Sequence, residues 1–225
     1  TRLESINCPD ERPPTQLRVT CHQYQRGDIT LAIAFLHASE PSGDPVLYIH
    51  GGPGGRALAE RYRWLSPQSP ILKHHDMILV DQRGSGWSKP SLDCYEADLP
   101  TRAFKESLRA CRKRLLHEGI TLNNYRVSDI ALDLSNLRRS LGIDSWSLYA
   151  VSFGTLVALE LLRTDSEATN ATILDSPMDY RGRAYDDLPS GASAALDLAL
   201  TRCTEGSVCS PERVDKLDDL LGQLQ

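Results

Sequence analysis

Apolar and polar positions along the 225 residues change their spacing several times, and each change marks an element. Residues 17–24 and 29–37 are short β-prone runs separated by Arg26-Gly27-Asp28, a pattern that predicts an antiparallel hairpin. Residues 46–49 run apolar into His50-Gly51-Gly52-Pro53-Gly54-Gly55, and residues 77–80 run apolar into Asp81-Gln82-Arg83-Gly84-Ser85-Gly86. Unbroken apolar runs of strand length that end in glycine-rich turns predict parallel strands buried on both faces. From Phe104 the apolar positions Leu108, Cys111 and Leu115 follow at intervals of four, three and four. That spacing predicts a helix over 103–116 that buries those four side chains.

Ser128-Asp129 can cap a second helix, in which Ile130, Leu134, Leu137 and Leu141 repeat the spacing until Gly142 stops it. A strand at 147–150, a sharp turn at Ser152, an almost wholly apolar helix at 156–162 and a strand at 172–174 complete the alternation. Strands and helices that alternate in this way predict an α/β fold, a mostly parallel sheet with helices on both faces and the hairpin on one edge. After Pro177 the texture turns polar and helix-forming, at 190–202 and 214–224. The chain therefore divides into a core over 1–177 and the start of a separate helical layer over 178–225.

Composition narrows the function. The chain carries 25 Lys+Arg against 30 Asp+Glu, a net charge of −5, so it has no overall basic field for nucleic acid. Its richest apolar stretch, residues 31–36, is far short of the roughly 20 residues that a bilayer span needs, so no membrane span is expected. The chain opens Thr1-Arg2-Leu3 without methionine or an apolar targeting core, and any signal segment is expected to have been removed or to lie outside this sequence. Six cysteines form three sequence-local couples, Cys8 with Cys21, Cys94 with Cys111 and Cys203 with Cys209, none at zinc-knuckle spacing. Local couples suit disulfides and hence a secreted or periplasmic protein; six free buried thiols are the other reading.

The candidate chemistry centres on Ala150-Val151-Ser152-Phe153-Gly154. A strand that reverses into a helix within one or two residues strains the turn residue, and small neighbours two positions away relieve the crowding. The side chain at the apex then stands over the strand ends, as a nucleophile must. Ser152 is that apex, with Ala150 where the usual pattern has glycine. A serine attacking an acyl carbon needs N–H donors aimed at the developing oxyanion. Phe153 N–H is one candidate. The glycine loop after His50 supplies the other, from Gly52 or Gly51, because Pro53 has no N–H.

HGGPGG at 50–55, DQRGSGWS at 81–88 and the turn at Ser152 together resemble the proline iminopeptidase-like branch of the α/β-hydrolase fold, and more closely its secreted tripeptidyl-aminopeptidase-like members. The resemblance covers nearly the whole chain. It implies a serine hydrolase without a cofactor that removes N-terminal residues or short peptides, an exported aminopeptidase whose helical cap begins after residue 177; no metal is expected, and the expected substrate is a peptide or small ester. It also implies that Asp81 and Arg83 brace a turn and take no catalytic part.

In that fold the triad runs Ser, acid, His along the chain. All six histidines (His22, His37, His50, His74, His75, His117) precede Ser152. His50 belongs to the oxyanion loop and is not the expected base, and His74-His75 reads as an exposed pair that does not chelate a metal. Asp175 follows the next strand and reads as a turn residue, with the acid expected further on. The chain is thus expected to be the N-terminal portion of the enzyme. Its acid and imidazole would come from sequence outside this chain, in a complementary polypeptide or in a missing part of the same one. A carboxylesterase of the same fold, or a non-catalytic binding protein that kept the scaffold, are the competing readings.

Overall fold

The computed structural model describes residues 2–9, 18–65, 69–98, 103–180 and 184–205, without the side chains of 184–188 and 204. Its centre is a seven-stranded sheet in the order β1-β2-β3-β5-β4-β6-β7. The strands are β1 (Arg2–Ile6), β2 (Val19–Arg26), β3 (Ile29–Leu36), β4 (Val46–Ile49), β5 (Met77–Val80), β6 (Trp146–Val151) and β7 (Thr169–Asp175). The strands from β1 to β5 in that order pair antiparallel, and β5, β4, β6 and β7 pair parallel. The hairpin turns at Gly27, whose φ of 61° is the left-handed backbone that the turn requires.

The central strands β4 and β5 are buried at all eight positions, which is why they read as unbroken apolar runs. Leu47, Ile49, Ile78 and Val80 face one layer, together with Leu148 and Ala150. That layer is closed by α4 (Val127–Ser140) and α5 (Phe153–Thr164), through Ile130, Leu134, Leu137, Val157, Ala158 and Leu161. Val46, Tyr48, Met77 and Leu79 face the other layer with Leu58 and Leu72, beneath the short helices α1 (Arg61–Trp64) and α2 (Pro70–His74).

Three expectations change. The helix predicted over 103–116 is α3 (Phe104–His117), but its buried stripe is Ser107, Cys111 and Leu115. Phe104 and Leu108 are 70% and 42% exposed. Cys111 is bonded to Cys94, and this cross-link fixes which side of the helix turns inward. α4 begins one residue before Ser128; its cap comes from Asp129, whose carboxylate accepts the Arg126 N–H at 3.0 Å. β1 carried no periodic signal because four of its five residues are exposed, yet it pairs along β2, and Cys8 is bonded to Cys21 beside it.

The chain forms two compact units, Thr1–Met178 and Asp179–Gln225. In the second, α6 (Ala184–Glu205) extends beyond the expected 190–202 at both ends, with Pro189 inside it. The helix expected at 214–224 and the couple Cys203 with Cys209 lie outside the described residues, in whole or in part. Among the described residues no helix is long and apolar enough to cross a membrane.

Candidate active site

β6 delivers Ser152 to the carboxyl edge of the parallel strands, and α5 starts at the next residue. Ser152 has φ 52° and ψ −121°, a left-handed backbone that a side chain adopts only where its surroundings enforce it. The enforcement is visible on each side. Ser152 N–H donates to the Asp175 carbonyl oxygen of β7 at 2.9 Å. Its own carbonyl oxygen accepts the Thr155 hydroxyl at 2.6 Å, and that hydroxyl in turn accepts the Met178 N–H at 3.0 Å. On the core side Gly154 is pressed against β4: a Cβ there would strike the Ile49 carbonyl oxygen and lie 2.8 Å from that of His50. Ala150 is fully buried, so a methyl group fits the first of the two small positions.

The glycine loop lies against this turn. A Cβ on Gly51 would come within 2.9 Å of Ser152 Cβ and 2.8 Å of the Val151 carbonyl oxygen, so only glycine lets the two loops approach so closely. Gly52 follows with φ 118°, and the loop closes through Gly55 N–H to the Gly51 carbonyl oxygen at 3.1 Å. Among the described residues neither Gly52 N–H nor Phe153 N–H has an acceptor. Phe153 is the first residue of α5, where helical N–H groups point outward unpaired.

The second glycine-rich loop holds the first. Gln82 donates from Nε2 to the His50 carbonyl oxygen at 2.8 Å. Fully buried Asp81 accepts Leu58 N–H at 3.0 Å and Trp87 N–H at 2.8 Å. Burial pushes its carboxyl above the usual range in spite of those two donors. Arg83 grips Asp133 of α4 with two bonds of 2.6 Å and reaches the Asn124 carbonyl oxygen. Gln82, Thr155 and Asp133 bear on the site; Gln82 lies within the DQRGSGWS motif, but nothing in the sequence alone assigns a role to any of the three.

The histidines sit elsewhere or face elsewhere. His37 lies by Thr20 and Asp76, at the amino edge of the parallel strands, opposite Ser152. His74 and His75 bond the Glu40 and Asp44 carbonyl oxygens at that same edge, His74 as the last residue of α2. His50 is near the turn, but its Nε2 is 3.3 Å from Glu60 while its Nδ1 is buried against Gly55 without a partner. Among the described residues no histidine nitrogen is hydrogen-bonded to Ser152. Glu60 is held below the usual carboxylate range: burial opposes ionisation, but bonds and charge from His50 and Arg63 outweigh it.

Asp175 sits one strand away, accepting the Tyr149 hydroxyl at 3.1 Å and the Ser176 hydroxyl at 2.9 Å. It borders a groove of about 250 Å³ with Tyr48, Arg63, Trp64, Tyr149 and Val151. The three aromatic rings pack with centroids 5.0 to 6.0 Å apart, and burial pushes the Tyr48 phenol up to about 12. One cluster of metal-ligating residue types occurs among the described residues, Cys94, Glu96 and Cys111. Its sulfurs are spent on the disulfide, and Glu96 is bound by Arg114 at 2.7 Å, so it offers no free donor set.

A family model described as the alpha/beta hydrolase fold matches residues 44–195, more than half of the chain. Three curated relatives are proline iminopeptidases. That of Xanthomonas citri is 27% identical, over 67% of this chain and 39% of the relative. That of Arabidopsis thaliana is 26% identical, over 71% and 33%, and that of Xylella fastidiosa 29% identical, over 60% and 32%. The match thus spans between about a third and two fifths of those relatives. Among solved structures, a mutant of VrEH2 superposes with a TM-score of 0.51 at 18% identity, covering 76% of this chain and 44% of that one, a likeness of fold alone. A proline iminopeptidase-related protein from Thermus thermophilus is 26% identical with a TM-score of 0.47, over 70% and 44%.

Proposed function

We propose, from the premise that the chain belongs to the α/β-hydrolase fold family, that it is the nucleophile-bearing part of a serine peptidase that removes residues from peptide N-termini. The observation that carries this reading is the strained backbone of Ser152 at the strand edge, with the Gly51-Gly52 loop packed against it. The relatives named as proline iminopeptidases favour a peptide over a simple ester. The two internally bonded cysteine couples favour an oxidising, extracytoplasmic compartment.

In this reading Ser152 Oγ bonds to the substrate carbonyl carbon while its proton passes to an imidazole supplied by sequence outside this chain. The carbonyl oxygen takes the negative charge and accepts N–H bonds from Phe153 and from Gly52 or Gly51. Collapse breaks the C–N bond, the imidazolium returns the proton to the departing amine, and water then hydrolyses the acyl-serine. His50 does not supply that imidazole in this geometry: its Nε2 faces Glu60, its Nδ1 is buried against Gly55 without a partner, and neither nitrogen is bonded to Ser152.

A fluorophosphonate probe tests this. It is expected to label Ser152 when the complementary acid and histidine are present, and not to label Ser152→Ala. No labelling of a folded, complete complex would exclude the serine mechanism and leave the non-catalytic reading.

A further inference from the structure

α3 turns an unusual face to solvent. Its inner stripe of Ser107, Cys111 and Leu115 is buried, and the helix cannot roll about its axis. Cys111 is cross-linked to Cys94, and Arg114 is bonded to Glu96 at 2.7 Å. The outward orientation of the remaining residues is therefore built into the fold. At 100° per residue, Leu108, Arg112, Lys105, Leu116, Arg109 and Lys113 follow one another over about 140° beside buried Leu115, and Phe104, in line with the buried stripe, is exposed as the first residue of the helix.

Phe104, Leu108 and Leu116 are 70%, 42% and 46% exposed, three of the nine exposed large hydrophobic side chains among the described residues. Lys105, Arg109, Arg112 and Lys113 are exposed beside them, and no ion pair among the described residues involves any of the four. The single acidic residue within the helix, Glu106, lies just beyond this arc. A face with four cations on a chain of net charge −5 runs against the rest of the molecule.

We propose that this face of α3 seats the protein on a bilayer surface rich in anionic lipid. The ridge is convex, about 20 Å long, and mixes large apolar side chains with cations along its whole length. A lipid interface accepts both at once: Phe104, Leu108 and Leu116 enter the acyl boundary while the cationic heads stay among the phosphates. A polyanion in water matches the charge but offers nothing to the apolar side chains. The seating is peripheral and independent of the reaction proposed for Ser152.

Co-sedimentation with vesicles tests it, using phosphatidylcholine alone and phosphatidylcholine with about one third phosphatidylglycerol, at about 0.1 M salt, where exposed charges still act over about 10 Å. The protein is expected to pellet with the mixed vesicles and to stay in the supernatant with phosphatidylcholine alone. Arg109→Glu with Lys113→Glu is expected to lower partitioning more than tenfold, each cation near an anionic surface counting for about fivefold. Phe104→Ser with Leu108→Ser is expected to lower it several-fold; unchanged circular dichroism and an intact Cys94–Cys111 bond check the fold of both variants. The proposal is overturned if the wild type stays in solution with the mixed vesicles or pellets equally with both kinds. It is also overturned if the folded variants pellet like the wild type, which would place the lipid contact elsewhere on the molecule.

Discussion

The Thr155 hydroxyl donates to the Ser152 carbonyl oxygen at 2.6 Å, and Thr155 is fully buried. Because the Thr155 hydroxyl oxygen also accepts the Met178 N–H at 3.0 Å, one side chain ties the strained turn to the segment that follows β7. The Ser152 N–H is tied to that stretch as well, through the Asp175 carbonyl oxygen. Both backbone groups of the candidate nucleophile thus depend on residues 175–178.

Thr155→Val keeps the volume but leaves the Met178 N–H without its partner, at a cost of about 1 to 3 kcal/mol. Urea denaturation is expected to show that loss. The rate of fluorophosphonate labelling per folded molecule is expected to fall at least tenfold, since small misplacements of a reacting atom are expensive. Thr155→Ser restores the bond and is expected to recover most of the rate. A Val variant that loses stability but labels at the wild-type rate would make Thr155 a structural residue only.

The two small positions around Ser152 differ. Gly154 faces backbone oxygens of Ile49 and His50 that cannot move without dislodging β4, so Gly154→Ala is expected to cost about 3 kcal/mol or to prevent folding. Ala150 is already accommodated, and Ala150→Gly, which restores the usual glycine, is expected to cost about 1 to 2 kcal/mol through backbone freedom and the loss of one buried methyl group. Thermal denaturation of the pair measures this asymmetry; equal costs would mean that the contact of Gly154 with β4 is not what demands a glycine.

Much of this was legible in the sequence because the determinants are local. β4 and β5 are buried on both faces, and so could not avoid an unbroken apolar run, while the turn at Ser152 needs small residues at fixed offsets. What escaped depends on distant partners. Gln82 matters because it meets the His50 carbonyl oxygen 32 residues away, and Thr155 because it meets Met178 23 residues away. For α3 the apolar spacing located the helix and the buried Cys111 and Leu115, but Phe104 and Leu108 are exposed and Ser107 is buried instead, because the bond from Cys111 to Cys94 sets the orientation. Exposed β1 had no pattern to read; its place is set by pairing with β2.

Asp165 holds the end of α5 to α4 through bonds of 3.2 Å from Arg138 and 3.3 Å from Arg139. Burial would raise its carboxyl, but the bonds from Arg138 and Ser135 and the two arginine charges outweigh it, and the net shift is below the ordinary 3.8. Between the folded and unfolded values the unfolded chain binds more protons, so stability rises with pH across that window. The contribution is complete above the ordinary value and is lost as pH falls through the folded one. Asp165→Asn is expected to lower stability by about 2 kcal/mol at neutral pH and by progressively less toward pH 3. Urea midpoints across that range decide it, a pH-independent difference being the contrary result.

Asp175 is the one carboxylate that the sheet places next to the Ser152 strand end, and so the one candidate acid within the described core. Both its oxygens are engaged, by the Tyr149 and Ser176 hydroxyls, and it borders the aromatic groove with Tyr149 and Val151. The phenol of Tyr149 is held above its ordinary range by burial and by its bond to this carboxylate. A residue so placed serves the groove and the end of β7, and among the described residues no imidazole is bonded to it. Asp175→Asn retains the acceptor for Tyr149, and is expected to leave fluorophosphonate labelling of Ser152 within about threefold of wild type while shifting the melting temperature slightly. Loss of the triad acid in serine hydrolases costs about ten-thousandfold in turnover. A fall of that order, with the fold intact, would assign Asp175 as the acid and leave only the histidine to be supplied from elsewhere.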